Sequence, residues 1–418
     1  MRTGSEIKSV SARQVYTLRG HPGVEATVTT MDGAQGIAMA TAGVSIGEHE
    51  VQFAYDGGTR WGGMGVMKAV NNVNNIIAPA IKGLDAAKQR EVDEVILSLD
   101  KIKLGGNATA AVSAAVLKAG AASAGLPLYQ HIGGVNACIL PTSGTGAMSG
   151  STRYGGGQRS GGKPSYAFMA YGFKTFSDSS YACWEVTKAF EKVMREKYNI
   201  VRIGDRIQVL AGKVEHDEEL WQAMTQAIND SGNKDKIGIQ VDMAAGTYYD
   251  KTKGVFVGLI SKEDKTPNDL IKIYKNMVAK YPFVVLEDPL DENDYEGHAV
   301  LTKELGIQVV GDDLFTTNVE RLKQGIKVGA CNTVLLKVNQ IGTISESLDT
   351  IEYAYRHGYG VMPCSSRGEG ADIADYAVGL NTGNIRESGT GPTANRLLKI
   401  EAELGSRAKF LGKAGFKP

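Results

Sequence analysis

The chain has 418 residues, 46 lysines and arginines against 46 aspartates and glutamates, 42% hydrophobic and 22% charged residues. That composition excludes a largely disordered protein and gives length enough for two domains. Zero formal net charge provides no field to attract a phosphate backbone or an anionic membrane surface, so a small molecule, not nucleic acid or lipid, is the expected partner.

From Glu6 to about Gly134 the pattern is mixed. The alternation through Val24 to Thr30 predicts a strand, and Val66 to Ile77, Lys88 to Leu99 and Ala108 to Ala122 predict helices, together a small α+β domain over residues 1–135. Cys138, Cys183, Cys331 and Cys364 lie far apart, with no run of 18 uncharged apolar residues anywhere. A cytoplasmic protein with reduced thiols and no membrane span is therefore expected. Residues 143–162 hold eight glycines in twenty, with Arg153, Tyr154 and Arg159 among them, which predicts a mobile loop or a disordered linker in place of a packed element.

Beyond that loop, apolar runs alternate with amphipathic helices. Ile237 to Asp242, Phe283 to Asp288, Ile307 to Asp313, Thr333 to Val338 and Gly360 to Cys364 have the near-continuous apolar character of buried parallel strands. Thr343 and Glu346 make a capping box for a helix carrying Leu348, Ile351 and Tyr355, with Gly358 at its stop. The fold class expected for residues 136–418 is an α/β barrel of the (β/α)8 type.

The spacing of four polar residues carries the functional reading. Glu287, Asp312 and Lys337 lie 25 residues apart, one βα unit each, and Asp242 precedes Glu287 by 45, a gap filled by a hairpin-like stretch through Gly254 to Ile260. All four fall at C-terminal strand ends, which form the mouth of a barrel. Three converging carboxylates raise one another's pKa unless a cation compensates them. Oxygen-only ligands favour Mg²⁺ over Zn²⁺. A lysine close to such an ion has its pKa lowered and can act as a base. Singly, each acid reads equally as a helix cap or a surface ion pair; their common register favours a site.

Six segments then resemble one family. They are S-I-G-E-H-E (Ser45 to Glu50), L-P-L-Y-Q-H-I (Leu126 to Ile132), L-E-D-P-L-D-E-N-D (Leu286 to Asp294), G-D-D-L-F-T-T-N (Gly311 to Asn318), L-L-K-V-N-Q-I-G-T-I-S-E-S-L (Leu335 to Leu348) and I-E-A-E-L-G-S-R-A-K-F (Ile400 to Phe410). In this order they resemble enolase, collinearly from about Glu6 to Leu411. A lysine or histidine base with Mg²⁺ stabilising an ene-diolate is the known design of that superfamily. The resemblance implies Asp242, Glu287 and Asp312 as Mg²⁺ ligands, Lys337 as the base, Ser45 as a ligand of a second Mg²⁺, a phosphorylated three-carbon acid as substrate, and a homodimer.

The resemblance fails where enolases expel hydroxide. The family's G-D-E-G-G reads Gly204-Asp205-Arg206-Ile207-Gln208, and its Q-E-F-M reads Tyr166-Ala167-Phe168-Met169. Two glutamates are thereby lost to Arg206 and Ala167. S-H-R-S-G-E reads Cys364-Ser365-Ser366-Arg367-Gly368-Glu369, so Ser365 replaces a histidine and the phosphate-binding arginine is displaced by one place among Ser365, Ser366 and Arg367. A substrate-contacting lysine becomes Arg386, and the family's histidine loop is replaced by the glycine-rich segment. With Arg153 and Arg159 beside Arg206, the pocket is expected to turn positive and to accept a second anion such as a phosphonate, a need met among enolase-like enzymes by carboxyphosphonoenolpyruvate synthases. The competing readings are an ordinary 2-phosphoglycerate dehydratase with relocated acids, a non-catalytic enolase-fold binding protein and, for Arg206 itself, a structural pair with Asp205.

Overall fold

The computed structural model describes residues 4–17, 19–43, 46–365 and 367–418. Strands β1 (Ile7–Tyr16), β2 (Pro22–Thr30) and β3 (Gln35–Ala40) form an antiparallel sheet. Val24, Ala26 and Val28 point from β2 into the first hydrophobic core, facing helix α1 (Gln89–Ser98) and the alanine-rich helix α2 (Gly106–Ser123). Sheet and α2 meet closely enough that a Cβ on Gly36 would lie 2.0 Å from the carbonyl oxygen of Ala115. Any side chain there would force them apart.

The second core lies in and around an eight-stranded sheet. In chain order its strands are β4 (Ser143–Ser149), β5 (Ser165–Ala170), β6 (Ile207–Gln208), β7 (Ile237–Asp242), β8 (Phe283–Glu287), β9 (Gln308–Gly311), β10 (Thr333–Leu336) and β11 (Gly360–Pro363). Their order across the sheet is β11-β10-β9-β8-β7-β5-β4-β6. From β7 to β11 all neighbours are parallel, whereas β5 runs antiparallel to both β4 and β7. Residues 383–389 close the barrel: Arg386 N–H donates to Pro363 (3.0 Å), and Ile385 N–H to Thr142 (2.9 Å).

All five strands expected to be parallel are so. Ile237–Asp242 fills its expected span; the other four end one or two residues short of it. The hairpin anticipated through Gly254 to Ile260 lies earlier in the chain, as Tyr249–Asp250 paired with Val255–Phe256. Thr343 caps its helix as expected, accepting from Glu346 N–H (3.3 Å), while the Glu346 carboxylate receives the Thr343 hydroxyl and the Lys101 ammonium. No single helix among the described residues is long and apolar enough to cross a membrane.

The glycine-rich segment corrects the sequence expectation. Ser143–Ser149 is a buried barrel strand, and its glycines serve close packing: a Cβ on Gly144 would lie 2.2 Å from the carbonyl oxygen of Phe168. Beyond it the loop is anchored by Arg153 and Tyr154, both buried. Arg153 donates from Nε and Nη2 to the two oxygens of Asp217 (3.2 and 2.8 Å), which also accept from the hydroxyls of Tyr154 (2.9 Å) and Tyr166 (2.7 Å). Asp217 is wholly buried. Replacing it by Asn would leave the Arg153 charge buried without its partner, which costs about 3–5 kcal/mol. Urea denaturation of Asp217→Asn should show a loss of that order, with faster proteolysis between Gly150 and Lys163; a loss below about 1 kcal/mol would mean that the network does not hold the loop.

Candidate active site

Adjacent strand ends bring the charged residues together. Register pairs Glu287 with Asp242 and with Val310, two residues before Asp312. Lys337 directly follows β10 and its ammonium bonds Asp312. Asp242, Glu287, Asp312 and Lys337 are all buried, so the expected convergence at the barrel mouth is present.

Two residues outside that expected set complete the charge balance. Lys163, at the end of the glycine-rich loop, bonds Asp242. Arg386 donates to Asp242 (2.6 Å) and Glu287 (3.1 Å) from the segment that closes the barrel. Lys163 was not singled out by the sequence; its only signal was the single lysine ending a glycine run. Asp288, likewise unflagged by the sequence, adds a further buried carboxylate. Its two oxygens accept the N–H groups of Asp312 (3.0 Å) and Asp313 (2.9 Å), and it holds a left-handed backbone with φ 43°. Ala244, Thr316, Thr317 and Glu387, also non-glycine residues, adopt positive φ close to the same strand ends. Strain of this kind persists only where the surroundings over-determine it.

The electrostatics follow from burial and neighbours. Burial, with Asp312 adding to it, raises the Glu287 pKa. For Asp312, burial is overridden by Lys337, which holds the carboxyl at about 2. Asp313 is pushed up to about 8 by burial and by Asp312. Lys163 falls to about 8 through burial and the nearby Arg386. At Lys337 burial opposes the charge, but Asp312 outweighs burial and keeps the pKa raised; a cation bound by Asp312 would oppose that effect.

These carboxylates form two overlapping groups that offer oxygens at metal-binding separations, Asp242 with Glu287 and Asp288, and Asp288 with Asp312 and Asp313. The Asp313 Oδ1 atom is buried and has no hydrogen-bond partner among the described residues. An all-oxygen, buried, anionic donor set with an orphaned carboxylate oxygen fits a hard divalent cation.

A cavity of about 470 Å³ opens beside this floor, lined by Lys163, Arg206, Lys337, Ser365, Arg367 and Arg386 among others. Arg206 donates to Ser165 Oγ and to Glu387, both at 2.8 Å. Its contact with exposed Asp205 is longer, 3.5 Å, so Glu387 is the main partner. Arg367 is buried against Glu50. Arg153 faces Asp217 and does not line the cavity, contrary to expectation; Arg159 is exposed at a separate cavity with Asp313 and Glu292. Arg19, which the sequence did not flag, reaches the cavity from the turn after β1. Ser45 and Ser366 lie outside the described residues.

Residues 7–132 match the family model "Enolase, N-terminal domain" and residues 155–418 match "Enolase, C-terminal TIM barrel domain". The chain belongs to the enolase family. The protein named Enolase from Methanococcus maripaludis (strain C7) is 41% identical over 428 residues, covering 98% of this chain and 97% of the relative. Those of Methanocaldococcus jannaschii (40%, covering 98% and 97%) and Thermococcus kodakarensis (40%, covering 99% and 98%) are equally collinear. The chain is thus a carbon–oxygen-lyase type of enzyme of the enolase superfamily with a buried acidic cluster able to hold metal. Removing one charged oxygen from a hard-ion site should lower affinity by about tenfold or more. Calorimetric titration of Mg²⁺ into wild type and Asp312→Asn should show that fall, and equal affinities would remove Asp312 from the site.

Proposed function

We propose that the protein removes the proton α to the carboxylate of a phosphorylated three-carbon acid of the 2-phosphoglycerate type, with Lys337 as the base. The observation that carries this reading is the placement of Lys337 Nζ against Asp312, one strand from Glu287 and two from Asp242, on the wall of the cavity. Mg²⁺ held by Asp242, Glu287 and Asp312, with a second ion reached by Ser45, would supply the positive charge that stabilises the ene-diolate oxygens. Arg386 orients the Asp242 and Glu287 carboxylates. Ser365, Ser366 and Arg367 are assigned to the phosphate side; the buried guanidinium of Arg367 faces the same cavity.

The charge count supports an anionic substrate. Lys163, Lys337 and Arg386 stand against Asp242, Glu287 and Asp312, and burial favours the neutral form of Asp288 and Asp313, so a divalent ion in addition leaves positive charge that a phosphorylated acid neutralises. The relatives' name, Enolase, supports dehydration as the overall reaction more directly than any transfer. In that case the wall carrying Lys163 and Ser165 is where a donor to the departing hydroxide is available.

A second reading rests on Arg206. A guanidinium cannot serve as a general acid at neutral pH, and together with Lys163 and Arg386 it makes that wall cationic, as acceptance of a second anion such as a phosphonate requires. This is the carboxyphosphonoenolpyruvate synthase-like form of the proposal. Cytoplasmic location and a homodimer belong to the proposal as well.

Two rates separate the readings. Deuterium wash-in at the α-carbon of 2-phosphoglycerate, followed by NMR, should proceed in wild type and fall by about 10²–10⁴ in Lys337→Ala. Absence of wash-in in wild type would overturn the proposal. Appearance of enolpyruvate absorbance at a rate matching wash-in assigns the protein to dehydration; wash-in outrunning it by about 10² or more, the size of a missing general acid, assigns it to the second reading.

A further inference from the structure

Inside the barrel, the layer beneath the acidic floor is apolar. Val285, Val310 and Leu335, each two residues before Glu287, Asp312 and Lys337, pack there with Met169, Met362 and Phe416. Two glutamines interrupt it. Register sets Val285 of β8 between Gln240 of β7 and Gln308 of β9, and both glutamines are buried. Gln308 is bonded at both ends of its amide, donating to Asn384 Oδ1 (3.2 Å) and accepting the N–H of Lys417 (3.1 Å). Gln240 is used differently. Its Nε2 reaches the floor and donates to Glu287 Oε2 (3.3 Å), while its Oε1 has no partner among the described residues.

An ionised carboxylate only accepts, so Glu287 dictates which end of the amide faces it. The cost is a buried amide oxygen left unpaired, which an apolar side chain of similar size would avoid. In return Glu287 is held from two sides, Oε2 by this amide and Oε1 by Arg386 (3.1 Å). Directly opposite Gln240, on β5, stands Ala167, where the resemblance leads one to expect a glutamate. Opposed side chains of an antiparallel pair share one face, with Cβ atoms about 5 Å apart. A glutamate at 167 and a glutamine at 240 would compete for the same interior space, and the small Ala167 leaves that space to the amide.

We infer that Gln240 is a positioning residue of the site, which occupies the place of the missing glutamate with a neutral amide and fixes the carboxylate of Glu287 in the floor. The inference rests on the enolase-type reading, in which Glu287 serves a divalent cation, and adds how that carboxylate is oriented without the acid that the family keeps beside it. An amide does this while adding no negative charge to a floor that already concentrates it.

The test is calorimetric titration of Mg²⁺ into the full-length protein, with melting temperatures measured alongside. Gln240→Met keeps the volume and removes the donor, so Mg²⁺ affinity should fall by about 10- to 100-fold, the usual worth of a group that orients a metal ligand. Gln240→Ala should bind as weakly. Adding Ala167→Gln to it returns an amide from the opposite strand and should recover most of the loss. Ala167→Gln alone should lower the melting temperature, since two long side chains overfill the space. Wild-type affinity in Gln240→Met would show a side chain that only fills volume and would overturn the inference. A double variant that binds no better than Gln240→Ala would overturn it too, and either comparison decides alone where the other variant folds poorly. Failure of wild type to exchange the α-proton would instead overturn the enolase-type reading, leaving the Mg²⁺ affinities to judge Gln240 separately.

Discussion

Burying negative charge at one end of the barrel is the constraint on which the rest of the structure depends. Asp242, Glu287, Asp288, Asp312 and Asp313 come from three neighbouring strand ends and are all buried. An unpaired buried carboxylate costs several kcal/mol, so the fold must deliver a compensating group to nearly every one. The sources are distant in sequence: Lys163 from the glycine-rich loop, Lys337 from the end of β10, Arg386 from the closing segment and the amides of residues 312 and 313 for Asp288. Barrel closure and loop docking are therefore coupled to the chemistry of the site, since each brings in a cation that the floor needs.

The same logic joins the two cores. Glu50, from the segment after β3, is buried against Arg367 of the barrel, and the Asn339 side chain donates to the carbonyls of both Thr41 (2.7 Å) and Arg367 (2.8 Å). Gln340 continues the connection inward, donating to Asp312 at 2.8 Å while its own oxygen accepts from Thr317 (2.9 Å). The loop approaching from the N-terminal sheet thus contacts, through one glutamine, the carboxylate that bonds Lys337. A displacement of that loop changes the hydrogen bonding of the site without touching a strand.

What was legible in the sequence was what repeats. Strands with one apolar period and helices with one amphipathic period place Asp242, Glu287, Asp312 and Lys337 at equivalent ends, so their convergence follows from spacing alone. Composition misled where one residue type has two physical uses. Glycine in residues 143–149 reads as flexibility, yet at Gly144 the backbone of Phe168 comes too close for a side chain. Arg153 and Arg159 read as pocket cations because they are near Arg206 in kind and sequence, but a buried arginine goes where its carboxylate is, and for Arg153 that is Asp217, 64 residues on. Lys163 and Arg386 as partners of Asp242 were hidden for the same reason: long-range ion pairs leave no local periodicity.

Family membership fixes the barrel and the acidic floor more firmly than it fixes the far wall, and the energetics say why the distinction matters. A fold retained only as a scaffold would gain stability by replacing buried ion pairs such as Lys337–Asp312 with apolar residues of similar volume, and by relaxing the positive-φ residues at the strand ends. Both remain here, so stability is being sacrificed at the floor for something the floor does. The far wall obeys a looser condition. Arg206 and Glu387 neutralise one another where the resemblance leads one to expect a glutamate in place of Arg206, and such an exchange keeps the burial tolerable while removing net negative charge from the cavity. The floor is thus the part of the cavity that pairing holds most tightly, and the wall of Lys163, Ser165 and Arg206 the part whose charge can change at least cost to the fold.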